Sequence, residues 1–371
     1  MNRVLFGLFT FLVVLNVASQ ADEVYIRGRD KVVAGTIVSE DAKSVVVNVV
    51  EDKKKKGTQT FPAIDVIEVI SDAPSAFGLT LANGPYKAGV AAEKEADTED
   101  QAMRRKYLTL AIGKYDETLK GMKGKDAAKL AVRNLEYKIA MLYVKRVTDE
   151  VSSDLAVKKL QEFVKAHRNS WQVHQAMPLI AKLQMDNKDF DQAAKTFEMM
   201  AEMEVLAPAV RQEAELRVVE VNVRAGNFKE ANSKLDALQA KTPKNSPFAS
   251  RLKLERAEVL IGFKKEAEAI PVLLEIIRDP GDRNVKARAH NALGDHYFKA
   301  QKFSEAMWEY LWVDAVYNQD KSQHARALYQ LWKTFDQLND GDRAQQCRES
   351  LISDRQFAGT EHQIKAVKEV K

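Results

Sequence analysis

Apolar positions recur along this chain with a long period. Ala156, Ala193, Ala231, Ala269, Ala306 and Ala344 stand 37, 38, 38, 37 and 38 residues apart. Four residues after each come Leu160, Phe197, Leu235, Leu273, Tyr310 and, as the exception, Arg348; seven after each come Phe163, Met200, Leu238, Ile276, Val313 and Leu351. Positions i, i+4 and i+7 share one face at 3.6 residues per turn, so each unit is predicted to carry a helix with a buried stripe. About thirteen residues before each alanine lies a second apolar column of Tyr143, Ile180, Val218, Leu293 and Leu331, broken by Arg256. Polar breaks at 186–189, 225–227 and 338–341 separate the two columns, and their Gly and Asn suit the left-handed residue that ends a helix. The pattern predicts helix, tight turn, helix, repeated about six times. Pro208, Pro243 and Pro280 follow the second helix of three units, where a chain that has left the helix tolerates proline.

Residues 22–72 have a different texture. Val24-Tyr25-Ile26, Val32-Val33, Thr36-Ile37-Val38, Val45 to Val50, Gln59-Thr60-Phe61 and Val66 to Ile70 are β-branched or aromatic runs punctuated by Gly28, Gly35 and Gly57. About five short strands are expected here, forming a small antiparallel barrel or a strongly bent sheet. Residues 73–84 carry proline and glycine and read as a linker, so the strand region and residues 86–371 are expected to keep separate cores. Leu108, Ala111, Ile112 and Tyr115 recur at helical spacing, and residues 85–136 are expected to form a degenerate hairpin capping an array at 137–355. Residues 356–371 read as a tail or capping helix.

The repeat units resemble the tetratricopeptide repeat family. The motifs are Ala292-Leu293-Gly294-Asp295-His296-Tyr297-Phe298 followed by Phe303 to Tyr310, with Gly226-Asn227-Phe228-Lys229-Glu230-Ala231 and Asp189 to Phe197 beside them. Lys241 to Ala249 looks like the inter-repeat linker of bacterial envelope members. The small residue of the family's tight helix crossing is Gly294 in one unit but Val144, Val219 and Trp332 in others, and the period exceeds the family's usual one by three or four residues. The resemblance implies a mainly α fold, a right-handed α-solenoid of helical hairpins (a TPR-like superhelix), preceded by the small all-β barrel. Gly35 to Val38, the valine-rich strand and the closing Ile67 and Ile70 are similar to Sm-like or SH3-like barrels, a likeness of topology that carries no function.

The N-terminus adds a location. Arg3 precedes an apolar run from Val4 to Leu15, and Ser19 and Ala21 are placed for cleavage before Asp22. Residues 1–21 therefore read as a secretory signal peptide, too short in its apolar part to span a bilayer, and the mature chain is expected in the periplasm or cell envelope. The 57 basic and 53 acidic residues leave a net charge of +4, which argues against a nucleic-acid partner. Lys53 to Lys56 read as a solvated hairpin tip. The single cysteine, Cys347, is expected to be a buried small apolar residue.

No catalytic motif stands out. The six histidines lack metal-ligand spacing, and phosphate-binding loops and nucleophile elbows are missing, so no cofactor, metal or catalytic residue is assigned. Trp308 and Trp312, four apart on one helix, read as core packing. Eleven residues before each alanine stand Lys145, Lys182, Glu220, Glu258, Asp295 and Lys333, all charged and in runs of like sign. The resemblance places this column in a concave groove that holds a protein or peptide segment, with Arg224 and Lys299 bordering it; an acidic centre would favour a basic partner. Reversing Glu220, Glu258 and Asp295 to lysine is then expected to abolish capture and leave helicity intact. The competing readings are an envelope enzyme or enzyme accessory with an unrecognised site, and polyanion or glycan binding through the barrel.

Overall fold

The computed structural model describes residues 22–51, 55–70, 84–98, 100–122, 129–147, 152–243, 245–279 and 281–370. The signal segment, the centre of the lysine tip, most of the 73–84 linker and Pro280 lie outside them. The protein is mainly helical, built of helical-hairpin repeats after a small antiparallel sheet. It divides into two compact units, Met1–Ile180 and Ala181–Lys371.

The first unit opens with five strands: β1 (Asp22–Ile26), β2 (Val33–Glu40), β3 (Ser44–Glu51), β4 (Lys55–Pro62) and β5 (Val66–Ile70). All pairings are antiparallel and the strand order is β4-β3-β2-β1-β5. The expected barrel is a sheet with two edges: among the described residues no ladder joins β4 to β5. Its edge carbonyls explain part of this. Gln175 Nε2 donates to the Val66 carbonyl at 2.7 Å and to that of Ile67 at 3.3 Å, so a helical residue satisfies the strand instead of another strand.

Three helices follow, α1 (Pro85–Glu95), α2 (Gln101–Met122) and α3 (Lys129–Lys145), then α4 (Asp154–Ala166) and the start of α5 (Val173–Asp186). Helices α1 to α3 share a cluster around Leu108, Tyr115, Met122 and Leu142. The sheet does not keep a core to itself. Trp171, 2% exposed, belongs to the cluster of Val24, Val45, Val47, Phe61 and Val66, with Leu130 of α3 packed on it. Separate cores were expected because the two periodicities differ; one large indole between α4 and α5 overrides that. His174 Nε2 donates to the Ala42 carbonyl at 2.6 Å, and Glu40 pairs with Arg133, so polar ties flank the apolar contact.

The helical series continues with α6 (Phe190–Glu202), α7 (Pro208–Ala225), α8 (Phe228–Lys241), α9 (Ala249–Gly262), α10 (Glu266–Arg278), α11 (Arg283–Lys299), α12 (Phe303–Ala315), α13 (Lys321–Gln337), α14 (Gly341–Ser353) and α15 (Glu361–Val370). Each of the six alanines falls in the second helix of a hairpin and is at most 2% exposed. A Cβ on Gly294 would run into the Tyr310 ring, so this crossing has room for glycine alone.

The turns repeat as strictly as the helices. Lys188, Gly226, Lys264, Gln301 and Asn339, each five residues before an alanine, have φ between 58° and 77°. The following N–H returns to the carbonyl five residues back, as in Asn227 to Asn222 (2.9 Å) and Lys265 to Leu260 (2.9 Å). That closes the helix with a Schellman-type motif. Gly and Asn announce it at two turns. At the others Lys or Gln takes the same backbone.

Candidate functional site

In the second unit the charged column lies on the first helices of the hairpins. In α7, Glu213, Arg217, Glu220 and Arg224 stand at i, i+4, i+7 and i+11, one stripe of a helix. The equivalent stripe in α9 is Arg251, Glu255 and Glu258; in α11 it is Arg288, Ala292, Asp295 and Lys299; in α13 it is Arg326, Gln330 and Lys333. Each arginine reaches back one hairpin. Arg251 Nη2 donates to Glu220 at 2.9 Å, Arg288 Nη2 to Glu258 at 2.8 Å, and Arg326 pairs with Asp295. The acids of the column are therefore rungs of an ion-pair ladder between successive repeats.

The protonation states follow from that neighbourhood. Burial pushes the Glu220 carboxyl up, but Arg217, Arg288 and Arg251 outweigh it and hold the group below the usual carboxylate range. Asp295 behaves alike: burial is outweighed by Arg326 and by hydrogen bonds from Tyr310 (2.7 Å) and Gln330 (2.7 Å). Glu255 goes the other way. It is 0% exposed, meets Arg288 Nη1 at 2.8 Å without a well-aligned hydrogen bond, and burial drives it up to about 8 despite that arginine, with Glu258 and Glu220 adding to the rise.

Glu258, Asp295 and Lys299 are brought together with Arg326 around a cavity of about 250 Å³, whose apolar wall includes Val223, Phe228 and Ile261. The other column members are elsewhere. Glu220 sits 3.7 Å from Arg288 and does not line that cavity; Arg224 is exposed, 3.9 Å from Met185 Sδ; Lys182 is exposed. Lys333 lies over the Trp332 ring at 4.0 Å and pairs with Glu369 at 2.6 Å. Lys145 belongs to the first unit, where it pairs with Glu93 at 2.9 Å beside a cavity of about 220 Å³ that also touches Lys138, Tyr86 and Tyr137. Burial raises the Glu93 carboxyl, but Lys138 and Lys145 outweigh it and hold the group low.

Arg251, Arg288 and Arg326 were not singled out by sequence reasoning, yet they fall 37 and 38 residues apart, seven before the column they serve. Reading one column at a time hid a second column of opposite charge. The tryptophans need correction. Trp332 is buried, but Trp308 and Trp312 are 62% and 49% exposed. Cys347 is half-buried against the last hairpins, and burial pushes its thiol up to about 11.

No protein-family model matches the sequence and no curated protein is similar to it. Among solved structures, a tetratricopeptide repeat protein from Parabacteroides merdae ATCC 43184 is similar over 76% of this chain and 98% of its own, with 14% identity and a TM-score of 0.50. The Rap conjugation gene regulator of the plasmid pLS20, solved with the Phr* peptide, is 17% identical over 75% of this chain and 76% of its own, at a TM-score of 0.38. The first likeness is one of fold: helical hairpins of tetratricopeptide type set in series.

Proposed function

We propose that this chain is a non-catalytic scaffold of the cell envelope that holds a segment of a partner protein against the first helices of its repeats. The observation that supports it is the cavity on which Glu258, Asp295 and Lys299 converge from successive repeats beside an apolar wall. A pocket with an apolar side and a few convergent charges suits a side chain presented by an extended segment. Because Arg288 and Arg326 already neutralise Glu258 and Asp295, the partner is selected by shape and by mixed charge more than by a single acidic field. The location rests on the signal-peptide pattern of residues 1–21; no helix among the described residues is long and apolar enough to cross a membrane.

The triple reversal of Glu220, Glu258 and Asp295 is a poor test, since each lysine would face the arginine its carboxylate now holds. Lys299→Glu with Arg224→Glu is better: both side chains are exposed and stand outside the ladder. Partner capture from the envelope fraction should be lost while the melting temperature moves little, since exposed substitutions stay within about 0.5 kcal/mol. Capture unchanged by the pair of reversals would remove the groove from the reading. N-terminal sequencing of the mature protein should begin at Asp22.

A further inference from the structure

The outward side of α12 carries two of the chain's four tryptophans, Trp308 and Trp312, one helical turn apart. They stay 62% and 49% exposed, which forfeits the stabilisation two indoles would gain by burial. The hairpin does not require them. At the register of Trp308 the other five hairpins carry Lys158, Lys195, Ser233, Pro271 and Gln346, a column that faces solvent.

The strip is also held in place. The His290 ring of α11 stacks on Trp312 at 6.0 Å and on Tyr317 at 5.3 Å, both with 22° between planes. His290 Nδ1 in turn lies 2.7 Å from the Glu309 carboxylate. Trp312 thus offers a half-open face on a braced ring, the condition for a side chain to stack on it with little loss of freedom.

Its charge indicates the occupant. Every charged residue of α12 is acidic: Glu305, Glu309 and Asp314. Glu305 is exposed and lies one turn before Trp308 on the same side, while Asp314 is engaged by His324 at 2.7 Å. On α11, Arg283 lies over the Tyr317 ring and donates to the Val316 carbonyl and to Gln319, so it turns to the end of the helix. Indole faces and carboxylates together attract a cation.

We propose that the outward face of α12 docks a cationic segment of a partner protein, with arginine or lysine side chains stacked on Trp308 and Trp312 and facing Glu305 and Glu309. Arginine suits it best, because a planar guanidinium can stack on an indole and donate to a carboxylate at once. The surface is separate from the cavity of the proposed groove and does not rest on that reading.

The test titrates the full chain with a peptide of five Gly-Arg units and with its lysine and glutamate counterparts, read by tryptophan emission and calorimetry. The arginine peptide should bind saturably and the glutamate peptide should not. Trp308→Ala with Trp312→Ala should weaken binding by about tenfold. Trp312→Phe should keep part of it, Glu305→Gln with Glu309→Gln should weaken it several-fold, and Lys299→Glu should leave it unchanged. Equal binding of the glutamate peptide, or indifference to the double tryptophan substitution, overturns the proposal. So does a neutral oligosaccharide that quenches the same tryptophans in place of the peptide. A dimer that dissociates in sedimentation when Trp308 and Trp312 are replaced would assign the strip to a second copy and overturn it as well.

Discussion

The two units are stabilised by opposite kinds of contact. In Met1–Ile180 the decisive contacts occur once and join residues far apart in sequence: Trp171 with the strand valines, Gln175 with Val66 across 109 residues, His174 with Ala42 across 132. In Ala181–Lys371 the decisive contacts recur. The same alanine crossing and the same left-handed turn return at each hairpin, and three like arginine-to-acid rungs join the last four hairpins, each spanning only 30 or 31 residues. A contact made once concentrates its cost in one residue and couples distant segments. A repeated contact spreads the cost and keeps each loss near its own hairpin.

Trp171→Ala should give the largest effect. Removing a buried indole costs roughly 3–5 kcal/mol. Because the indole is shared, hydrogen-exchange protection should fall together in β1 to β5 and in α3. Loss confined to the strands would mean that sheet and helices hold independently. Arg288→Ala comes next, at about 2–4 kcal/mol, below the fully buried range because its side chain keeps 23% exposure. It strands Glu255 and Glu258, and the loss of protection should centre on α9 to α11 while the sheet stays protected.

Glu255→Gln tests the same neighbourhood through pH. Its folded carboxyl titrates near 8, well above an unfolded glutamate, so between about pH 4.5 and 8 the folded state binds the extra proton. Stability from this group therefore falls as pH rises through that window, by up to about 1.4 kcal/mol per pH unit. The glutamine variant should flatten that slope and exceed the parent in stability at pH 9. Glu220 and Asp295, held low, act in the opposite direction and lose their contribution only as pH falls through their depressed values, so they do not mask the effect.

The same contrast explains what the sequence made legible. Periodic features could be read because each is stated five or six times: the alanine columns, the bulky +4 and +7 positions, the hairpin count. The strand runs were readable from β-branched composition, and Val32-Val33 and Thr36 to Val38 proved to be one strand over Gly35, β2, apart from Val32 just before it. The barrel was overread because a strand's fate at an edge depends on its neighbour, here Gln175, which no local pattern reveals. Trp308 and Trp312 misled for a different reason. Spacing of four is shared by buried and exposed faces of a helix, and only comparison with Lys158, Lys195 and Gln346 for Trp308, and with Glu162 and Glu275 for Trp312, places them outside. Of the candidate site, the column was visible from sequence; its arginine counterparts were equally periodic, but their meaning needed the inter-repeat distances.

The smallest predicted effect distinguishes the two kinds of region most sharply, because it should add from turn to turn. Lys264 takes φ of 60° at the turn between α9 and α10, the place that Gly226 fills one hairpin earlier. A non-glycine residue in the left-handed region costs about 1–2 kcal/mol, and glycine gives back roughly 0.5–1 kcal/mol of that through its greater freedom in the unfolded chain. Lys264→Gly should therefore stabilise by up to about 1 kcal/mol. Lys188→Gly and Gln301→Gly should do the same. The three sites are 76 and 37 residues apart, separated by whole hairpins, so their gains should sum to within about 0.5 kcal/mol in the triple variant. Gly226→Ala should lose what Lys264→Gly gains. Chemical denaturation measures all of these on one scale. Destabilisation by Lys264→Gly would show that its side chain, not its backbone, sets the turn, and would break the equivalence of the hairpins on which the repeated half of the comparison stands.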